Sequence, residues 1–387
     1  MLKALGITCG IGSMLIGARN AGFDILGNIE WRSYYDTGTF EKNFEGSFYV
    51  RKWEDLPLEE RRFLIREKID LVMSHPECGN FSNFSSISGG KEKLLERNKK
   101  AGDIPLFVSL LNKVKPNFFV MDNLPKSLVG YPISRWVEEL PDYDLFPEWI
   151  SNYHYGNIQK FRNRFFMIGA KKDVKFYFTP GEEDNFLTVR EVLQDVDNLP
   201  NQTLQDGKKK SFLGNILSKD GNATVAEVAK FFRNFSAGVN PPYINREGIE
   251  KRRRGSQKIY WNKHAHVLLG SEGSFHPKTG WPLTCRERAR IQGIPDSFVF
   301  ILDDECGNKM LKQTGKCMPI QFCEYVSNQI ACFIKGKKFT SSGKRLIKSN
   351  KEVDEAKRWY CKNVGYSNQS NVCKVCWLNC EGKEIMK

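Results

Sequence analysis

The sequence lacks any apolar run long enough to cross a bilayer, so we expect no membrane span. It also lacks a complete set of disulfide partners, because its 11 cysteines are an odd number and lie far apart before the C-terminal segment. That pattern favours a reducing, intracellular compartment, either the cytoplasm or the nucleoid or nucleus. The apolar start, Met1 to Ala18, fits a strand, a glycine loop and a helix better than a signal peptide, so we expect no signal peptide.

Acidic residues are too few to balance the basic ones. The 387 residues include 59 Lys and Arg against 45 Asp and Glu, which gives a net charge of +14. This excess favours a polyanionic partner such as nucleic acid, although a basic enzyme of another kind has the same charge. The length suits two domains, and a 40% hydrophobic content suffices for a globular core.

Short apolar runs alternate with amphipathic stretches over residues 1–170. This alternation predicts an α/β fold with a doubly wound parallel sheet, covered by helices on both faces. The predicted strands are Ala4–Thr8, Asp24–Ile29, Ile69–Ser74, Asn117–Met121 and Phe165–Gly169, and the predicted helices are Leu58–Lys68, Pro105–Lys113, Thr284–Ile291 and Ile320–Ile334.

The alternation fails after residue 170. Residues 171–275 are polar and rich in turn residues, and they carry basic runs at 208–210 and 251–254. We therefore predict one α/β domain from 1–170 and 276–335, a smaller irregular domain from 171–275, and a basic linker with a cysteine-rich tail from 336–387.

A glycine-rich turn, Thr8–Ser13, follows the first predicted strand and opens a helix. Glycines allow the backbone to approach a ligand closely, and the helix N-terminus offers free N–H groups. Leu15 stands where the dinucleotide-binding pattern has its third glycine, which disfavours a dinucleotide.

Two acidic residues suggest what this turn binds. Glu30 ends the second strand, 20 residues after Gly10, where an acid typically accepts hydrogen bonds from ribose hydroxyls. Asp55, with Leu56, is expected to end a third strand and to accept from an adenine amino group. Together they indicate a nucleoside cofactor without a pyrophosphate, such as S-adenosylmethionine, although an ordinary turn with two surface acids fits the same residues.

Cys78 lies just beyond the predicted strand Ile69–Ser74, after Pro76, which stiffens the turn. Ligands of doubly wound sheets bind at the carboxyl ends of strands, so this thiol is placed to attack a substrate. An inert core thiol is the alternative.

Eight segments, taken in order, carry a resemblance to the cytosine-C5 DNA methyltransferase family over residues 1–335. Each segment is weak alone, and the order of the series makes the resemblance specific. The segments are Gly10–Gly12 with Ala21–Phe23, Ile29–Trp31 with Tyr34–Phe44, Asp55–Leu56, Pro76–Ser82, Lys115–Asn123, Tyr155–Arg164, Leu283–Phe298 and Gln313–Pro319.

The resemblance implies a Rossmann-like methyltransferase domain that flips a cytosine out of double-stranded DNA and methylates its C5 from S-adenosylmethionine. By this mapping Cys78 is the nucleophile and Asp122 the partner of cytosine N3, while Arg162 and Arg164 hold the carbonyl oxygen. The cofactor-binding residues it implies are Thr8, Gly10, Gly12, Ser13, Glu30, Trp31, Asp55, Leu56, Pro76, Leu106, Lys316 and Cys317.

The resemblance also assigns the remaining segments. Residues 171–275 correspond to the target-recognition domain, whose run Lys251–Arg254 would contact phosphates, and Ser82–Ala101 to a mobile loop over the DNA. A monomer within a restriction–modification system is expected.

Several residues depart from the family pattern. Glu77 and Gly79 replace a proline and a glutamine beside the nucleophile, and Phe161 is an insertion before the two arginines. Glu77 is expected to raise the pKa of the Cys78 thiol unless it turns away towards an arginine. Asp122 is one methylene shorter than the family glutamate, so the base or the strand must move by about 1 Å.

Lys316 replaces an asparagine near the methionine part of the cofactor. A cation there suits a carboxylated S-adenosylmethionine, which would give 5-carboxymethylcytosine, whereas a lysine that extends elsewhere leaves methyl transfer intact. Two other interpretations stay open: a tRNA cytosine-5 methyltransferase, and a catalytically dead DNA-binding module.

The tail contains a Cys-x2-Cys pair. Four thiolates, those of Cys361, Cys373, Cys376 and Cys380, have the chemistry of a structural zinc site. A disordered basic tail with free thiols is the alternative.

Overall fold

The computed structural model describes residues 1–35, 37–81, 101–160, 162–179, 187–196, 217, 222–244, 250–252, 257–270, 274–301 and 313–339. The chain forms two compact units. Unit 1 comprises the described residues within Met1–Tyr155 and Asn163–Asp184 and from Ile320 on. Unit 2 comprises the described residues within Gly156–Arg162 and Asn185–Pro319.

Unit 1 is built on a seven-stranded sheet with the order β3-β2-β1-β4-β5-β7-β6. The strands from β1 to β5 pair in parallel, whereas β7 is antiparallel to both β5 and β6. The strands are β1 (Leu2–Ile7), β2 (Phe23–Ile29), β3 (Phe48–Val50), β4 (Leu71–Ser74), β5 (Phe118–Asn123), β6 (Tyr143–Ser151) and β7 (Asn163–Lys171).

Helices lie on both faces of this sheet, which confirms the doubly wound α/β prediction. On one face Phe107 and Trp136 pack on Phe119 of β5, in a core that also includes Leu5 of β1. On the other face Leu15 lies against Gly6 of β1. The helices of unit 1 are α1 (Ser13–Asn20), α2 (Thr39–Asn43), α3 (Leu58–Arg66), α4 (Ile104–Val114), α5 (Ser127–Gly130), α6 (Ile133–Glu139) and, near its C-terminal end, α10 (Ile320–Ile334).

Two details of the sheet differ from the sequence prediction. The sheet is mixed rather than parallel, because β7 runs antiparallel between β5 and β6. The third strand ends at Val50, and Asp55 lies in a short 3₁₀ turn, where its carboxylate accepts the Lys52 backbone N–H at 2.9 Å. The expectation that Asp55 and Leu56 end a strand is therefore wrong, since the carboxylate caps a turn instead.

Unit 2 contains short helices whose starts are set by side chains. Thr188, Thr224 and Thr284 each accept the backbone N–H three residues later, and a glutamate at that position bonds back. The elements are α7 (Val189–Leu193), α8 (Val225–Asn234), α9 (Cys285–Gln292) and two two-stranded sheets, β8 (Pro242–Ile244) with β9 (Glu250–Arg252) and β10 (Gln257–Lys258) with β11 (Ser274–Phe275).

Candidate active site

Strand pairing in unit 1 brings three polar side chains to one edge of the sheet. Ser74 of β4 pairs with Met121 of β5, so the residues that follow them, His75 and Asp122, are neighbours. On the other side of β5, Asp122 pairs with Phe166 of β7, and Arg164 precedes Phe166 by two residues in that strand. All three side chains are almost completely buried.

Asp122 is the centre of this cluster. Its Oδ1 accepts Arg164 Nε at 2.8 Å, and its Oδ2 accepts Arg164 Nη2 at 2.5 Å, a bidentate pair. Oδ2 also lies 2.5 Å from His75 Nδ1. Burial alone would raise the pKa of the Asp122 carboxyl, but the Arg164 charge and the His75 hydrogen bond outweigh it and hold this pKa below its ordinary value. Asp122 is therefore an ionised acceptor at neutral pH.

Cys78 lies on the other side of the His75 ring. Its Sγ is 3.9 Å from His75 Nε2, and the residue is partly exposed. Burial of the sulfur raises the thiol pKa, but the His75 hydrogen bond and the Arg164 charge act against it, and the result is a pKa of about 6. The thiolate is therefore favoured at neutral pH, unlike in an ordinary cysteine.

Glu77 places a negative charge beside the Cys78 thiol, as the sequence predicted. Its charge raises the Cys78 pKa, as expected, but this is a smaller effect than those of His75 and Arg164, so the net shift is downward. The Glu77 Oε1 accepts the Gly79 backbone N–H at 2.8 Å, and the Glu77 backbone N–H donates to Asp103 Oδ2 at 3.3 Å.

Sequence reasoning missed His75. Its signal was present, because the residue directly follows a buried strand and precedes the candidate nucleophile by three positions. Its partner Asp122 is 47 residues away, so only the β4–β5 pairing reveals the contact.

The two candidate arginines have different surroundings. Arg164 belongs to unit 1 and bonds Asp122. Arg162 belongs to unit 2, where it donates to the carbonyls of Leu268 at 3.4 Å and Cys317 at 2.5 Å. Both side chains are buried.

The turn after β1 has a left-handed backbone packed closely against two aromatic rings. Thr8, Gly10 and Gly12 have φ values of 57°, 59° and 90°, a left-handed backbone. A Cβ on Gly10 would lie 2.8 Å from the Tyr35 ring, and one on Gly12 would lie 2.4 Å from the Phe44 ring. Neither glycine therefore tolerates a side chain in this conformation.

Glu30 lies at the end of β2, directly beside that turn. Its Oε2 accepts the Gly10 backbone N–H at 2.8 Å, and Arg32 donates to both carboxylate oxygens at 2.7 Å. Arg32 Nη2 also donates to the Thr8 carbonyl. The predicted ribose acceptor is thus held in place by an arginine that the sequence analysis did not single out.

The other predicted cofactor residues divide between the two units. Ser13, Trp31, Asp55, Leu56, Pro76 and Leu106 belong to unit 1, and Lys316 and Cys317 belong to unit 2. Leu106 is 47% exposed, on α4. Within unit 2 the Lys316 stem lies on Gly270, since a Cβ there would be 3.0 Å from Lys316 Cγ.

Several predictions fall outside the described residues. They concern the loop at 82–100, the basic run 208–210, Phe161, Arg253 and Arg254, and the tail cysteines Cys361, Cys373, Cys376 and Cys380. Within the described part of the chain, no group of three or more His, Cys, Asp or Glu side chains is arranged to hold a metal ion. The helices of that part include none long and apolar enough to cross a membrane.

The chain matches a known protein family and several known proteins. Residues 2–332 match the family model of C-5 cytosine-specific DNA methylase. The chain is 24% identical over 370 residues to the Type II methyltransferase M.NgoPII of Neisseria gonorrhoeae, with 85% of this chain and 95% of the relative covered. It is 22% identical over 366 residues to the Type II methyltransferase M.FnuDI of Fusobacterium nucleatum, with 85% and 94% covered.

Solved structures share the fold. A prophage-encoded E. coli protein assigned as a DNA modification methyltransferase superposes with a TM-score of 0.61 at 20% identity, over 87% of this chain and all of that one. A variant of Spodoptera frugiperda DNMT2 gives a TM-score of 0.55 at 10% identity, with 85% and 99% covered.

Proposed function

The chain belongs to the C-5 cytosine-specific DNA methylase family and is a DNA (cytosine-5-)-methyltransferase, and we propose that it acts through a covalent bond between Cys78 and the target cytosine. The observation that supports this is the cluster of Cys78, His75, Asp122 and Arg164 at the carboxyl ends of β4 and β5. It combines a nucleophile, its activating groups and a carboxylate in one buried site.

The chemistry begins with the low pKa of the thiol. Carbon 5 of cytosine is a poor nucleophile until the Cys78 thiolate adds to carbon 6, which forms the S–C6 bond and moves the ring electrons towards C5 and N3. Carbon 5 then takes up the methyl group. Loss of the C5 proton to solvent and cleavage of the S–C6 bond release the methylated base and return the thiolate.

Asp122 and the arginines act on the ring rather than on the methyl group. Asp122 is ionised, so it does not supply a proton to N3. Solvent supplies the proton that N3 takes up as the thiolate adds, Asp122 accepts the hydrogen bond of that N3–H group, and the proton returns to solvent when the S–C6 bond breaks. Arg164 keeps Asp122 charged and favours the thiolate. We assign Arg162 to the cytosine carbonyl oxygen, as the family motif implies.

The family uses S-adenosylmethionine, whose sulfonium supplies an electrophilic methyl group when it is bound. We propose that such a ligand binds at the left-handed turn of Gly10 and Gly12, where β1 ends and α1 begins with its N-terminal backbone N–H groups. The Glu30 carboxylate, which Arg32 holds in place, would accept hydrogen bonds from the ribose hydroxyls. We propose that Asp55, which is exposed in a turn, accepts a hydrogen bond from the adenine amino group.

Double-stranded DNA is the substrate that the family implies. We propose that residues 171–275 select the target sequence, that the run at Lys251–Arg254 contacts phosphates, and that residues 82–101 supply the loop over the DNA. The Type II relatives support a role as the methyltransferase of a restriction–modification system. We propose that the chain acts as a monomer.

Mass spectrometry of nucleosides tests this function directly. Purified protein is incubated with DNA or tRNA, with either S-adenosylmethionine or its carboxylated form, and the digested nucleosides are identified. We expect 5-methylcytosine in DNA. A 5-carboxymethylcytosine product would instead assign Lys316 to the carboxylate, a product in tRNA would change the substrate, and no product with either would indicate a non-catalytic DNA-binding protein.

A further inference from the structure

His75 is a buried titratable group that the family motifs leave without a role. Only 4% of the residue is exposed, and its two ring nitrogens face two different functional groups. Nδ1 lies 2.5 Å from Asp122 Oδ2 and 3.4 Å from Arg164 Nη2, and Nε2 lies 3.9 Å from Cys78 Sγ. The ring therefore bridges the carboxylate and the nucleophile.

The ionisation of Asp122 fixes the direction of these contacts. An ionised carboxylate only accepts hydrogen bonds, so His75 Nδ1 must carry a proton. In the neutral ring the lone pair is then on Nε2, the nitrogen that faces the Cys78 thiol. This is the tautomer that a base for Cys78 requires, and Asp122 holds it in place much as an acidic partner orients a histidine in other nucleophilic sites.

We propose that His75 is a catalytic base that takes the thiol proton of Cys78 and holds the nucleophile as a thiolate–imidazolium pair before DNA binds. The Sγ–H bond breaks, its proton forms the Nε2–H bond, and the electron pair remains on sulfur. After methyl transfer, cleavage of the S–C6 bond returns the thiolate beside an imidazolium that has kept its proton. The inference rests on the proposed function of Cys78 for its place in the reaction.

The surrounding charges are consistent with such a pair. Arg164 favours the thiolate, whereas Glu77 opposes it and Asp103 binds the Glu77 backbone. Burial disfavours a charged His75, but the Asp122 hydrogen bond and charge outweigh it, so the pKa of the imidazolium lies above its ordinary value. On α10, Cys323 also lies close to Asp122, and burial raises its pKa so far that it remains a neutral thiol.

The test compares the native protein, Cys78→Ala and His75→Gln without DNA or cofactor. Thiolate absorbance near 240 nm and peptide-resolved alkylation of Cys78 are followed against pH. We expect the native thiol to titrate near pH 6, and the His75→Gln thiol to move towards the ordinary value of about 8.5. Methyl transfer by His75→Gln should then fall on the order of tenfold to a hundredfold at pH 6.5 and only about twofold at pH 9.

Two results would overturn the inference: a native thiol that titrates in its ordinary range, or a His75→Gln thiol that titrates like the native one. A purely structural role for His75 would lower activity equally at both pH values. If the thiol titrations agree but native protein methylates no DNA, the proposed function fails while the pair stands.

A second measurement covers the case in which His75→Gln does not fold. Histidine ring signals of isotope-labelled native protein and of Cys78→Ala are titrated by NMR. One imidazole should change its titration when the thiol is removed, because the thiolate stabilises its proton. Five unchanged histidine titrations would contradict the pair.

Discussion

At the residue scale, opposing effects set the pKa of the Cys78 thiol. Burial and the Glu77 charge favour the neutral thiol, and His75 and Arg164 favour the thiolate. Glu77 is the one of these side chains whose charge can be removed without breaking the buried Asp122 cluster, since its carboxylate bonds the Gly79 backbone N–H. Removing the Glu77 charge should therefore lower the Cys78 pKa, whereas replacing His75 should raise it.

Glu77→Gln should lower the Cys78 pKa further below about 6. The amide oxygen can still accept the Gly79 N–H, while the negative charge beside the sulfur is gone. The pH at which alkylation of Cys78 is half-maximal measures this shift. Glu59→Gln, on the exposed side of α3, is the control and should leave that pH unchanged. An upward shift in Glu77→Gln would show that its charge does not act on the thiol.

At the element scale, the strands with continuous apolar sequence could be predicted, and the polar contacts between strands could not. The apolar runs that end at Ile7, Ile29 and Ser74 form interior strands of the sheet. These strands are largely buried on both faces and so lack polar alternation. The strand β6 was missed because Pro147 interrupts its pattern, and it tolerates proline because it pairs only with β7, at the sheet edge.

The candidate site divides in the same way. Cys78 and Asp122 follow recognisable segments, whereas the contacts of His75 and Arg32 depend on which strands are neighbours. The register that pairs Ser74 with Met121 results from packing of the whole sheet, and no local pattern encodes it. The net downward shift of the thiol pKa follows from that register, whereas the one contribution that the sequence predicts, the upward effect of the Glu77 charge, is confirmed.

The contact between α1 and α10 gives an element-scale prediction. A Cβ on Gly17 would lie 2.6 Å from Glu324 N and 2.8 Å from the Cys323 carbonyl carbon, which are backbone atoms that cannot rotate away. Alanine gains about 1 kcal/mol of helix propensity, but forcing the helices apart costs about 1–3 kcal/mol. We expect Gly17→Ala to lower the free energy of unfolding by about 1 kcal/mol in urea titrations.

Glu60→Ala, at an exposed position of α3, is the control for this helix substitution and should change the unfolding free energy by less than about 0.5 kcal/mol. Equal or greater stability of Gly17→Ala would show that α1 and α10 are not in close contact.

At the scale of the whole molecule, the net charge of +14 is large enough to govern DNA affinity. Three of the positive charges, on Lys251, Arg252 and Arg253, lie consecutively in the segment assigned to target recognition. Phosphate contacts raise affinity for every sequence alike, and each contributes about 0.9 to the slope of log affinity against log salt.

Replacing Lys251, Arg252 and Arg253 with glutamine should weaken binding to target and non-target duplexes by similar factors. The salt slope should become shallower by up to about 2.7, which fluorescence anisotropy at several salt concentrations measures. Replacing Lys113 and Lys115 with glutamine, at the C-terminal end of α4 in the other unit, controls for the loss of two of these three charges. Loss of sequence preference at unchanged affinity would show that the run reads bases instead.

The central claim is that Cys78 bonds covalently to the target cytosine. Duplex DNA that contains 5-fluorocytosine at the methylated site tests it. Fluorine replaces the C5 hydrogen that a base must remove as a proton, so the adduct cannot eliminate Cys78. With cofactor present, we predict a stable protein–DNA adduct, mapped by peptide mass spectrometry to Cys78 and absent in Cys78→Ala, which still binds the duplex. An adduct on another residue, or methyl transfer by Cys78→Ala, would contradict the account.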